Sequence, residues 1–159
     1  MLDDANIDKL NKILKLLEIN FERLNYSYSR IDLLLPFNAF KIENLEAEQI
    51  SFIDQYIFRF SKIQDIMGEK LFRMILESVD EKTESMAFID ILNKLEQLEV
   101  FPDKTVWLYL RKLRNEVSHE YPMVDEEAVI ALDSLFNSKG KLEFYYKSCI
   151  DYLKKYTII

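Results

Sequence analysis

VWLYLRKLRNEVSHEYP, residues 106–122, decides how the rest of the chain is read. Val106, Leu110, Leu113 and Val117 recur at helical spacing on one narrow face, as expected of an amphipathic helix with that stripe in the core. Pro122 disfavours helical geometry at Tyr121, so the helix closes with His119, the one histidine of the chain, in its last turn. At roughly 100° per residue, Arg111, Asn115 and Ser118 fall opposite the core stripe, with Arg114 and His119 at the edges of that face about 140° apart. Glu116 points elsewhere, which leaves the face free of carboxylates, and Trp107 and Leu108 lie toward the same side one turn earlier. A solvated face has little reason to carry both, so a second buried surface is expected there, with Trp107 and Leu108 in a dimer interface.

The remainder of the chain supports an all-α fold. Only two glycines and three prolines occur, too few of the turn residues that a sheet protein requires. Ile7, Leu10, Ile13, Leu14, Leu17 and Phe21 predict a first helix from an Asp3 or Asp4 cap to about Asn25. SRIDLLLPFNAF (29–40) has no clear period and reads as a connector whose apolar residues pack down. A second helical region runs from about Leu45 to Val79 with a break or kink at Gly68, and a third from Glu84 to Leu98. The fourth starts at Pro102 or Asp103, and the carboxylates of Asp125, Glu126 and Glu127 favour the start of a fifth, interrupted near Gly140. The expectation is one domain over residues 1–159, an up-and-down bundle of about five helices.

Charge and cysteine content narrow the function. A net charge of −7 argues against a general nucleic-acid binder and leaves room only for a focused site. The single Cys149 forms no internal disulfide and suits a small apolar role in a reducing compartment. MLDDANIDKL has no basic segment followed by an apolar one, and no apolar run approaches the roughly 20 residues that span a bilayer, so a soluble cytoplasmic protein without membrane contact is expected.

If two-fold symmetry pairs the motif helices, Arg114 and His119 of both copies line one cleft. Imidazole exchanges protons near physiological pH, and a guanidinium holds the non-bridging oxygens of a phosphodiester as charge builds on them. Such a site can cleave RNA with no metal or other cofactor, using the 2'-hydroxyl as nucleophile, and is not expected to cut DNA.

Arg114-Asn115-x-x-x-His119-x-Tyr121 resembles the R-x4-6-H motif of HEPN domains, in particular the R-x4-H-x-Y form of HepT-like toxins. RFSKIQDIMGEKLF (59–72) is similar, more weakly, to the long second helix of that group. The resemblance implies a helical bundle that dimerises through the motif helices into a metal-independent endoribonuclease, the toxin of a type VII (HEPN/MNT) toxin–antitoxin pair. By position, Arg114 would stabilise phosphate, His119 would transfer protons, and Asn115, with Ser118 and Arg111, would support them. Tyr121 would correspond to the tyrosine that an MNT-type nucleotidyltransferase antitoxin modifies with AMP, adding charge and bulk that repel RNA at the cleft mouth. Relatives first described as nucleotidyltransferase substrate-binding subunits supply a non-catalytic alternative.

Plainer readings of the same residues exist. His119 could bond terminal carbonyls of its own helix, and Tyr121 could wedge under Pro122. Glu116-x-x-His119 matches half of a di-iron pattern, but a chain with one histidine supplies only one such pair. Nothing marks Cys149 as an activated nucleophile for a pair with His119.

Overall fold

In the computed structural model, which describes residues 1–156 and 158–159, the apolar stripes named above become the inner faces of a helical bundle. The α-helices are α1 (Asp4–Ile31), α2 (Ala39–Glu43), α3 (Ala47–Ile66), α4 (Phe72–Ser78), α5 (Phe88–Gln97), α6 (Thr105–Glu120), α7 (Glu126–Asn137) and α8 (Lys139–Lys155). No strand occurs among the described residues, and the all-helical expectation holds. No helix is long and apolar enough to cross a membrane among those residues.

Asp3 caps α1 by accepting from the Asn6 N–H at 2.8 Å. The helix runs past Asn25 to Ile31 because its buried stripe continues through Leu24, Ser27 and Ile31, and the Ser27 hydroxyl satisfies itself on the Leu24 carbonyl at 2.8 Å. Leu10, Leu17 and Leu24 are fully enclosed, each contributing about 1.5–3 kcal/mol by burial.

The aperiodic connector contains a 3-10 turn (Asp32–Leu34) and then α2. Side chains hold it: Asp133 accepts from the Phe37 N–H at 2.8 Å, and Lys41 Nζ donates to the Leu34 and Pro36 carbonyls, each at 2.9 Å. Phe37 packs inward as expected, whereas Leu33 is 95% exposed and does not.

The second region is one rod from Ala47 to Ser78, interrupted where Gly68 sits by a π-helical turn (Met67–Leu71) in which the Phe72 N–H reaches the Met67 carbonyl. A Cβ on Gly68 would lie 3.4 Å from the Phe88 ring and 3.8 Å from the Trp107 indole, ordinary van der Waals contact, so α5 and α6 close onto the rod here and an alanine would be accommodated. The third helix starts at Phe88, not Glu84, because residues before it are pinned as a loop: Arg73 donates to the Thr83 and Met86 carbonyls at 2.6 and 3.5 Å. α5 ends with Glu99 at φ 57°, its turn closed by the Val100 N–H on the Leu95 carbonyl at 2.9 Å.

Asp125 caps α7 through the Ala128 N–H at 3.0 Å, as the carboxylate cluster predicts. The expected interruption falls at Ser138, with Gly140 inside the first turn of α8. Cys149 is fully buried and burial pushes its thiol up, in keeping with an inert core role.

Candidate functional site

Helix α6 spans Thr105–Glu120, and Tyr121 leaves it with extended geometry, its N–H closing the last turn on the Val117 carbonyl at 2.9 Å. The buried face is Trp107, Leu110, Leu113 and Val117, while Val106 is only partly covered. This corrects the assignment of Trp107 to a dimer interface. Its indole is 1% exposed within a single chain, packed on Phe72 at 4.8 Å and Tyr145 at 5.4 Å between ring centroids. Its backbone N–H donates to the Tyr145 hydroxyl at 3.0 Å, and that hydroxyl donates to the Asp103 carbonyl. The large aromatic at the first turn fills the core where the smaller Val106 is only partly covered, while Leu110, Leu113 and Val117 keep the expected inward face. Leu108 is partly buried against the core and lies toward the outer side.

On the outer side of α6, Leu108, Arg111, Lys112, Asn115 and His119 line one open groove. Glu116 and Glu120 line it too, with Glu116 held by Lys112 at 3.9 Å. The expectation of a carboxylate-free face is therefore corrected. The Ser118 hydroxyl turns back to its own helix and donates to the Arg114 carbonyl at 2.9 Å.

Arg114 does not enter that groove. One guanidinium nitrogen donates to the Asp65 carboxylate at 2.5 Å and to the Ser61 carbonyl at 3.1 Å, tying α6 to α3, and Nε donates to Asn115 Oδ1 at 3.3 Å. Arg114 lines instead a cavity of about 240 Å³ shared with Gln64, Asp65, Gly68, Glu69, Arg73, Phe88, Trp107 and Arg111. Arg111, whose guanidinium lies over the Phe88 ring at 4.6 Å from its centroid, lines both the cavity and the His119 groove. Within one chain Arg114 and His119 are thus separate, as their helical spacing predicts, with Arg111 between them.

Tyr121 is half-buried at the end of α6. Burial first, and then the Asp54 carboxylate facing its hydroxyl, push that hydroxyl well above the ordinary phenol range, so it stays protonated and positioned by α3. No group of three His, Cys, Asp or Glu side chains able to hold a metal ion occurs among the described residues.

Gln64, Asp65 and Asp54 went unrecognised at the sequence level. They lie on α3 with no motif of their own, and the likeness of residues 59–72 to a known helix takes in only Gln64 and Asp65. Set against known protein-family models, curated proteins and solved structures, the chain finds no match.

Proposed function

We propose that this chain is a HepT-like HEPN ribonuclease toxin of a type VII toxin–antitoxin pair, acting as a homodimer and partnered by an MNT-type nucleotidyltransferase. The observation that carries this reading is His119 at the exposed end of α6, in a groove with Arg111 and Asn115 and five residues on from Arg114. In the proposed dimer, paired α6 helices would bring Arg114 of one copy toward His119 of the other through faces that include the partly buried Leu108.

The reaction needs only the RNA. The 2'-oxygen forms a bond to phosphorus as the P–O5' bond breaks, one proton leaving the 2'-hydroxyl and one reaching the 5'-oxygen. His119 serves one of these transfers, and guanidinium groups stabilise the non-bridging oxygens. The products are a 2',3'-cyclic phosphate and a 5'-hydroxyl. AMP transferred to the Tyr121 hydroxyl, beside Asp54, would add phosphate charge at the groove end and repel the substrate.

A second reading, a non-catalytic subunit that binds the nucleotidyltransferase, is favoured by the pairing of Arg114 with Asp65 and by Glu116 and Glu120 in the His119 groove. Inducible expression separates the two. The ribonuclease reading expects growth arrest with RNA decay from the wild type and neither from folded Arg114→Ala or His119→Ala chains. Equal toxicity of the folded variants sinks it. After co-expression with the nucleotidyltransferase, a mass increase of AMP size is expected on the peptide containing Tyr121 and lost in Tyr121→Phe.

A further inference from the structure

Of the cations that line the α6 groove and the adjoining cavity, Arg111 is the one left unmatched by its own chain. Arg114 donates to Asp65 and Ser61, Arg73 donates to the Thr83 and Met86 carbonyls, and Lys112 pairs with Glu116 at 3.9 Å. Arg111 is exposed, and its side chain has no ion pair or hydrogen bond among the described residues. Its guanidinium lies over the Phe88 ring, 4.6 Å from the centroid, a cation–π contact that spends none of its N–H donors. The lining carboxylates without a cation of their own are Glu69 in the cavity and Glu120 at the far end of the groove. Phe88 opens α5 and packs against the core beside Gly68, 3.4 Å from where a Cβ would stand. It therefore sets the direction of a long side chain before any ligand arrives, which lowers the entropy lost on binding.

Arg111, Asn115 and His119 stand four residues apart, one above the next on the outer side of α6, all exposed and all lining the same groove. Helical rise puts Asn115 about 6 Å and His119 about 12 Å from Arg111 along the axis. Helical side chains lean toward the N-terminus, so Arg111 and His119 point the same way and do not converge on one atom. Asn115 Oδ1 accepts from Arg114 Nε at 3.3 Å, which leaves its Nδ2 to donate elsewhere. A guanidinium, an amide N–H and an imidazole in register along one open groove match a ligand whose acceptors repeat along a line. A single nucleic-acid strand laid along α6 is such a ligand, and a guanidinium with all its donors free is the strongest phosphate holder in the row.

We infer that this row is a subsite for single-stranded RNA in which Arg111 holds a non-scissile phosphate, Asn115 Nδ2 meets the backbone next to it, and His119 faces the scissile phosphodiester beyond. Phe88 is a positioning residue that acts through Arg111. The subsite rests on the ribonuclease reading for the identity of the strand and for the role of His119. Binding of the strand is measured without cleavage.

A labelled RNA oligonucleotide is titrated by fluorescence anisotropy with the full chain carrying His119→Ala, so that the strand stays intact. Adding Arg111→Ala is expected to weaken binding about tenfold at low salt and to reduce the slope of log K against log salt by about 0.7, the share of one phosphate contact on a single strand. Arg111→Lys keeps the charge and should keep the slope. Phe88→Leu should also keep the slope while weakening binding about threefold, because the cation remains but is no longer held in place. Should Arg111→Ala fail to fold, Arg111→Gln takes its place. In the chain that retains His119, Arg111→Ala should raise KM for an oligonucleotide but not for a dinucleotide, which is too short to reach Arg111. Unchanged affinity and slope in Arg111→Ala would overturn the subsite. So would an equal loss in Lys147→Ala, which removes an exposed cation of α8 lining neither groove nor cavity, or displacement of the RNA by oligoglutamate of equal charge. An Arg111-dependent slope in a chain that cuts no RNA would support the subsite and overturn the ribonuclease reading alone. Cleavage with a KM indifferent to Arg111 would overturn the subsite alone.

Discussion

Arg114 and Asp65 join α6 to α3 through a charged hydrogen bond of 2.5 Å, which sets the guanidinium at the rim of the cavity and away from His119. A residue expected to hold phosphate is thus partly neutralised by its own chain. Asp65→Asn should leave the fold intact and cost at most about 1 kcal/mol, since the carboxylate side chain is 47% exposed. Affinity for a short RNA should rise several-fold at low ionic strength, with the gain fading as salt screens the charge. Unchanged or weaker RNA binding by this variant in a filter or fluorescence-anisotropy titration would show that Asp65 does not compete with phosphate.

Trp107 belongs to the core of one chain, and a dilution series distinguishes this from burial between subunits. Its emission maximum should stay that of a buried indole from high to low micromolar protein, whatever the association state. Trp107→Ala should destabilise the chain by about 3–5 kcal/mol in urea unfolding, the range for removing a large core aromatic. An emission maximum that shifts red on dilution would return this side chain to an interface.

Glu99 adopts φ 57° after α5, a left-handed conformation that favours glycine. Glu99→Gly is expected to raise stability by about 0.5–1 kcal/mol because the αL strain on a Cβ disappears. Denaturant midpoints measured beside the wild type check the sign. A lower midpoint would mean that the Glu99 side chain contributes more than its backbone costs.

Alkaline pH should unfold the protein through its buried phenols. Burial, chiefly, holds Tyr145 to about 12 against an ordinary value of 10.0, and Tyr56, Tyr121, Tyr146 and Tyr152 are raised in the same direction. The unfolded chain then releases these protons first, so stability is full below pH 10 and falls as pH climbs through 12. Melting temperatures recorded between pH 8 and 12 should drop above 10, and the fall should be shallower in Tyr145→Phe. A flat profile would contradict the burial of these hydroxyls.

Much of the helical pattern was legible because apolar spacing sets it: the core stripes of α1 and α6, the carboxylate start of α7, the break at Gly68 and the exit at Tyr121 all follow from local physics. Where several apolar residues compete for the core, spacing alone does not choose. Val106 and Trp107 are neighbours, and the larger side chain took the interior, while Glu116, three residues before His119 and so on the same side of the helix, shares its groove. Boundaries set by long-range bonds were also illegible. Arg73 fixes the loop before α5, and Asp133 fixes the connector before α2, from residues distant in sequence. For the candidate site, helical phase separated Arg114 from His119 correctly, while Asp65, Gln64 and Asp54 entered only when α3 packed against α6.

The decisive measurement is cleavage of a labelled RNA by the purified chain in excess chelator. The proposed ribonuclease should leave fragments with 5'-hydroxyl and 2',3'-cyclic phosphate ends, and should make no cut where a single 2'-deoxynucleotide replaces the scissile position. Its rate should be at least about 100-fold lower in folded His119→Ala and Arg114→Ala chains. Cleavage that survives in both folded variants, or that proceeds at the 2'-deoxy position, would contradict it.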